Sequence, residues 1–431
     1  MKRALTIAVL ALTGLLLACS GSTVVGIGIG IGVGSGSGAT PTPTVATVQL
    51  GAENLVFDTQ ARTNLGFQFG PPDGTLGAVR NADNTYTFFV SARSNSTCGG
   101  SPLTQGTYRL AGSLTAIGAS GSCRALMTAG GDPNGYTFDR DYAGGGPVLP
   151  ISNGAGQTAL LLAYHGEWQG GTCAKTNKCF YGSLGMAVSF DGGATFAKLG
   201  EIVQPTIPRM TSIDAGRNLD VGGGTMVIAD GNGRFLSNPA LADPADVYLY
   251  IFYSDKDPAA STTAPCAANA CLAVARARLA DVAQAALARN TAAFPQLFHK
   301  FYLGAFTEPA TSGDANAAQP AGHYTPVVAD AGNYPTVVYD TSVGLYVLAY
   351  TVNNNAIVMR SGDTLLDWSA PLASGAISAP GMSFLYTTLI GDTADTTTSD
   401  GSPWLYYVRA PKWPDWPDAV VVARQLHLSV Q

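Results

Sequence analysis

Beyond residue 46 the chain alternates short apolar, aromatic runs with clusters of Gly, Asn and Asp. The strongest runs are residues 86–90, 160–164, 247–253, 345–350 and 404–408, rich in Val, Tyr, Phe and Leu. Runs of this length and composition, bounded by turn formers, predict β-strands. Each follows a shorter apolar segment opened by an acid, a tyrosine or glycines: 73–79, 141–149, 220–227, 334–339 and 386–390. A third run comes after, clearest at 184–189, 272–278, 356–360 and 419–426. One stretch breaks the pattern. Residues 281–289 are alanine-rich with an acidic start and a basic end, predicting a helix inserted between the third and fourth strands of the third unit.

Five repeats of about four strands predict an all-β chain, a five-bladed β-propeller over residues 47–431. The last unit is one strand short. Residues 47–57 are placed to supply that strand and close the ring, which leaves no long exposed edge.

The N-terminus is of a different kind. Lys2 and Arg3 precede an apolar stretch, and Leu16-Leu17-Ala18-Cys19 resembles a lipobox. Residues 1–18 therefore read as a lipoprotein signal peptide, Cys19 as the lipidated residue, and 19–46 as a Gly/Ser/Thr/Pro tether. The expectation is an exported, membrane-anchored monomer at the outer membrane or cell surface. The other six cysteines fall as neighbouring pairs, Cys98 with Cys123, Cys173 with Cys179 and Cys266 with Cys271, which suits disulfides in an oxidising compartment. No CxxC spacing occurs and there are only four histidines, so no metal site is assigned. A net charge of -6 with 12% charged residues argues against nucleic acid as a partner.

In a propeller the entry to each innermost strand and the loop after its second strand open on one face. Asp73, Asp141 and Asp220 fall at such entries, with Glu308 on the connection into the fourth unit. His165 and Glu167, Tyr253 and Asp255, and Trp413 and Trp416 fall at the loops. Carboxylates ringed by aromatic side chains suit a carbohydrate partner. Two turns also stand out: residues 189–196 resemble the Asp-box hairpin of sialidases, and residues 361–369 resemble a turn of arabinanase-like propellers. In both, an Asp is expected to cap the turn's amides on the rim opposite the site. The string at 131–135, Gly-Asp-Pro-Asn-Gly, reads as a turn.

With these residues the chain resembles the five-bladed glycosidase superfamily of arabinanases, β-xylosidases, levansucrases and invertases. That resemblance implies Asp73 as the first-unit acid and Glu308 as proton donor. It matches Arg140-Asp141 to the second-unit Arg-Asp motif, although Tyr142 stands where the family has proline. A third carboxylate nearby would keep the donor protonated at neutral pH, and Asp220 is a further catalytic candidate. The implied activity is glycoside hydrolysis with no required cofactor; loop carboxylates and carbonyls would also suit a structural calcium. Alternatives stay open: Asp141 and Asp220 as turn caps or calcium ligands, His165 and Glu167 as a loop ion pair, and the tryptophans as blade-edge packing. For the whole chain they are a non-catalytic glycan-binding propeller or a sialidase-like hydrolase.

Overall fold

The computed structural model describes residues 45–69, 72–94, 98, 104–118, 123–153, 156–170, 179–216, 218–256, 270–312, 320–328, 330–411 and 418–430. The signal, Cys19, most of the tether, Cys173, Cys266, Trp413 and Trp416 lie outside the described residues.

The chain is mostly β, and its strands fall in five successive antiparallel groups. The first group includes Gly77–Arg80, Tyr86–Ser94, Thr104–Ser113 and Cys123–Thr128, and the second is Tyr142–Ser152, Thr158–Gly170, Cys179–Ser189 and Ala197–Val203. The third begins with Leu219–Asp230, Val247–Asp255 and Cys271–Arg278. A two-residue parallel pairing, Tyr181 with Leu219 and Gly182 with Asp220, joins these two groups into one sheet. The first strands of the fourth and fifth groups are Asn333–Asp340 and Ser383–Ile390. Helix Leu279–Leu287 lies between the third group's third strand and its next strand, His299–Tyr302, where the sequence predicts it.

Middle strands such as Leu345–Val352 are buried along nearly their whole length, which is why they read as continuous apolar runs and not as an alternation. Their two faces feed separate clusters. One apolar cluster lies between each consecutive pair of groups, and another joins the fifth group to the first, packing Leu385, Tyr406 and Val408 with Phe88, Val90 and Tyr108. Full burial of side chains of this size contributes about 1.5–3 kcal/mol each. Ala46–Leu50 and Asn54–Phe57 both pair with the C-terminal strand Val420–Val430.

The first strands of all five groups meet around a narrow interior space lined by Thr75, Pro147, Thr225, Thr336 and Thr388, among others. Threonine hydroxyls tie neighbouring first strands together. Thr225 donates to the carbonyl of Pro335, Thr336 accepts from the amide of Leu389, and Thr388 accepts from the amide of Leu76. Gly146 is required by this crowding, since a Cβ there would sit 1.6 Å from the carbonyl oxygen of Thr75.

Cys98 and Cys123 form a disulfide, and Cys179 and Cys271 each take part in a disulfide of their own. In the hairpin after Cys179–Ser189, Asp191 accepts from the amides of Ala194 and Thr195, as expected of a structural turn. It follows the Leu160–Ser189 end of the ladder, whereas His165 and Glu167 pair further along it with Leu184 and Gly182. The second turn differs from expectation, because the hydroxyl of Thr364 takes the amides of Leu366 and Asp367 and no aspartate does. At 131–135, Asp132 caps the amides of Asn134 and Tyr136, giving the predicted turn.

Candidate active site

Above the narrow space lies a cavity of about 190 Å³ whose wall includes Asp73, His165, Glu167, Phe180, Asp220, Lys256, Tyr334 and Tyr386. Four of these, Asp73, His165, Glu167 and Asp220, are sequence candidates. His165 and Glu167 are two residues apart on one strand and so share a face. Asp220 reaches the same place because its group is joined to the second beside Gly182, where a Cβ would lie 2.4 Å from His165 Nε2 and 2.5 Å from Asp220 Oδ1.

The polar contacts form one network. His165 Nε2 is 3.0 Å from Asp220 Oδ1, and its Nδ1 is 3.7 Å from Glu167 Oε1. Lys256 Nζ is 2.6 Å from Asp220 Oδ2. Glu167 Oε2 accepts from Gln169 Nε2 at 2.7 Å, while Asp73 Oδ1 accepts from the Tyr386 hydroxyl at 2.8 Å. Tyr142, fully enclosed beside the cavity, donates to the backbone carbonyl of Asp73 at 3.2 Å.

Burial divides these acids by environment. It pushes the Asp73 carboxyl up to about 6 against the pull of the Tyr386 and Tyr142 hydroxyls and of His165, with Asp220 adding to the rise. It pushes Glu167 up to about 7, opposed by His165 and reinforced by Asp73 and Asp220. Asp220 is also buried, but the Lys256 ammonium and His165 more than offset that burial and hold it well below the usual carboxylate range. His165 is raised, because the attraction of Asp220, Glu167 and Asp73 exceeds the cost of burying its charge. The cavity thus holds one fixed anion, Asp220, and two carboxyls that titrate near neutrality.

Other candidates go elsewhere. Asp141 is tied to Arg140 and to the amide of Gln169, with about a third of its side chain exposed. The physical reason is register: Asp220 stands two residues before its glycine triplet and Asp141 three, so alternation turns Asp141 to the other face and puts Tyr142 in the matching place. Arg140 instead packs over Trp168 at 4.5 Å. Tyr253 is wholly buried in the apolar core, and Asp255 lies in the interior 3.8 Å from Lys300. Glu308 belongs to the outer strand Ala305–Pro309, accepts from the amide of His323, and is absent from the cavity wall. Its Glu-Pro context reports only local chain direction, and outer-strand pairing with Lys300 determines where it goes.

Sequence reasoning missed Lys256, Phe180, Tyr334 and Tyr386. Both tyrosines adopt left-handed backbone, φ 55° and 53°, at bulges where their strands carry one extra residue. The available signal was the shared spacing Tyr334-Pro335-Thr336 and Tyr386-Thr387-Thr388, which aligns them with Gly223 of Gly223-Gly224-Thr225. Among the described residues no group of three or more His, Cys, Asp or Glu side chains is arranged to hold a metal ion.

No protein-family model and no curated protein matches the chain. Among solved structures it is similar to an α-L-arabinofuranosidase from Lactobacillus brevis at 12% identity, covering 84% of this chain and 91% of that one with TM-score 0.44. The catalytic domain of a Coprinopsis cinerea GH62 α-L-arabinofuranosidase is similar at 12% identity, with 89% and 98% covered and TM-score 0.45. An exo-β-1,3-galactanase from Phanerochaete chrysosporium is similar at 11%, with 82% and 60% covered and TM-score 0.41. At such TM-scores the likeness fixes neither fold nor activity.

Proposed function

We propose that this chain is a glycoside hydrolase of an oligo- or polysaccharide, built as a five-bladed β-propeller and anchored to a membrane through Cys19. The propeller reading is supported by the five interleaved apolar clusters and the threonine ties between first strands. The observation that carries the activity is that Asp73 and Glu167, from different groups, share one cavity with carboxyls near 6 and 7.

Glycosidic cleavage needs a carboxylic acid to protonate the leaving oxygen and a carboxylate on the other side of the ring. Glu167, the higher of the two, takes the donor role assigned to Glu308 by resemblance. Its proton goes to the leaving oxygen as the bond from the anomeric carbon breaks. Asp73, ionised first and held by Tyr386, either accepts the proton of an attacking water or attacks the anomeric carbon itself. Carboxyl separations of about 6.5–9.5 Å and about 5–5.5 Å distinguish those routes, and the anomer released reports which operates. Asp220 reacts with nothing: its fixed charge raises both neighbours, and Lys256 and His165 keep it ionised. The sialidase alternative would need an arginine triad, and no arginine is among the described residues of the cavity wall.

The test is sugar release by the purified protein from arabinan, xylan, fructan, sialosides and aryl glycosides, with Glu167→Gln and Asp73→Asn alongside. Release abolished in both variants, with Tm near pH 4 matching the parent's, supports the assignment. Glycan binding without release would make the chain a binding module. Anchoring is checked separately, since Cys19→Ala should move the protein out of the membrane fraction.

A further inference from the structure

His165 stands between two carboxyls of opposite behaviour, the fixed anion Asp220 and the proton-holding Glu167. Its Nε2 lies 3.0 Å from Asp220 Oδ1 and its Nδ1 3.7 Å from Glu167 Oε1. The surroundings hold the ring in that orientation. Tyr142 and Phe180 meet it edge to face, with ring centres 6.2 Å and 5.9 Å away, and Gly182 passes so near that a Cβ there would lie 2.4 Å from Nε2.

This placement assigns the ring's protons. An ionised carboxylate can only accept, so the nitrogen facing Asp220 is the one that carries the proton of a neutral imidazole. Nδ1 is then the end at which His165 gains or loses charge, and that end faces Glu167. On Glu167, Oε2 already accepts from Gln169 Nε2, which leaves Oε1, the oxygen nearer Nδ1, to carry the acid's proton. The other titratable groups around His165 are Asp73 from the first group, Tyr142 from the second, Lys256 from the third and the two wall tyrosines of the fourth and fifth. Of these only Lys256 is a cation, and it is paired with Asp220.

We infer that His165 is a positioning residue for proton donation: Asp220 fixes its Nε2–H, and its Nδ1 faces Glu167 as an imidazolium when Glu167 becomes a carboxylate. The inference rests on the glycosidase reading and adds what draws the proton off Glu167. As the bond between the anomeric carbon and the leaving oxygen breaks, its electron pair stays on that oxygen and takes the proton from Oε1. The carboxylate left behind meets a positive Nδ1–H in a mostly buried site, where opposite charges attract more strongly than in water. A small turn of the carboxyl, or one bridging water, closes the remaining gap. Without the imidazolium the proton would leave behind a further negative charge beside Asp73 and Asp220, both of which oppose it. The influence is mutual, since Glu167 favours the charged imidazole and His165 favours the carboxylate.

The first test needs no substrate. Nitrogen NMR of protein labelled at its four histidines follows each ring nitrogen from about pH 5 to about pH 9. His165 should keep its Nε2 proton throughout while Nδ1 titrates. In Glu167→Gln the Nδ1 midpoint should fall by about one pH unit, because the neighbouring negative charge is gone. An Nε2 that loses its proton first, or a midpoint unmoved by Glu167→Gln, overturns the inference. The second test uses His165→Gln, whose amide nitrogen still offers a donor to Asp220 but puts nothing in the place of Nδ1. Here kcat should fall about tenfold on glycosides with a sugar leaving group and only about twofold with dinitrophenolate, which departs without a proton. KM should hold, and the basic limb of the pH profile should move up as Glu167 loses the imidazolium. Equal losses with both leaving groups, or a fixed limb, give His165 a packing role alone and overturn the inference while the glycosidase stands. Coupled titration by NMR with no release from any glycoside removes the glycosidase and leaves the paired His165 and Glu167.

Discussion

The acid cavity has two unlike halves. The first three groups contribute Asp73, His165, Glu167, Asp220 and Lys256, whereas the fourth and fifth contribute Tyr334 and Tyr386. The difference is clearest at one repeated position, the residue two before the first-strand threonine. It is Gly223 in the third group at φ 104°, but Tyr334 and Tyr386 in the last two at φ 55° and 53°. A bulge there calls for positive φ, which glycine meets without steric cost and tyrosine only at about 1–3 kcal/mol. On the acid side the strand keeps glycine and ionisable groups fill the space. On the aromatic side two rings, 4.6 Å apart, occupy it, and one of them holds Asp73 by its hydroxyl.

The largest test of this division is Glu167→Gln, expected to lower kcat about 10²- to 10⁴-fold as the proton donor is lost. Activity near the parent's would remove Glu167 from the mechanism. Gly182→Ala should come next, because the added methyl forces His165 and Asp220 apart. The expectation is roughly a 10²-fold loss of kcat/KM and about 1–3 kcal/mol of stability. A variant of parental activity would show that the contact between His165 and Asp220 is dispensable.

Titration sharpens the same contrast. With Asp73 near 6 required ionised and Glu167 near 7 required protonated, kcat/KM should follow a narrow bell with limbs at about those values. Tyr386→Phe removes a hydrogen bond that stabilises the ionised Asp73, so the acidic limb should move up; a fixed limb would mean that Asp73 is not the base. Stability gives the second readout. Both carboxyls are raised above their ordinary values, so what they contribute to folding is present near pH 4 and lost as pH rises through about 6 to 7. Glu167→Gln should therefore match the parent's Tm near pH 4 and exceed it by a few degrees near pH 8.

Smaller effects belong to the aromatic half and to the outside. Tyr334→Gly relieves the backbone but loses a ring, and these should nearly cancel, leaving stability within about 1 kcal/mol and KM raised a few-fold. A loss of several kcal/mol would show the ring to be a core element and not a wall of the site. Asp141→Asn should change stability by no more than about 0.5 kcal/mol and leave turnover at the parental level.

Much of this was legible in the sequence where the signal is periodic. The runs beginning at Tyr86, Leu160, Val247, Leu345 and Trp404 are strand cores, the alanine-rich helix follows the third group's third strand, and Asp191 caps its own hairpin. Asp73, His165, Glu167 and Asp220 could be picked out because acids and a histidine are unusual in so apolar a chain, but His165 and Glu167, expected at a loop, lie inside strand Thr158–Gly170, which runs on past the predicted apolar core. What could not be read was the facing of single residues. One inserted position turns Asp141 away although its motif looks like that of Asp220, and Glu308 is carried outward by a strand pairing that local context does not encode. Lys256 was hidden because its importance comes only from Asp220, thirty-six positions away in sequence but 2.6 Å away in space.

The pairing of Ala46–Leu50 with the end of Val420–Val430 has a consequence for biosynthesis. A chain made and threaded from its N-terminus presents residues 46–50 long before residues 426–430 exist, and that contact is among the most distant the fold contains. Loop-closure entropy makes such a contact late. The first strand must wait, unpaired, for nearly the last residues to arrive, so the fold locks only once the whole chain is available.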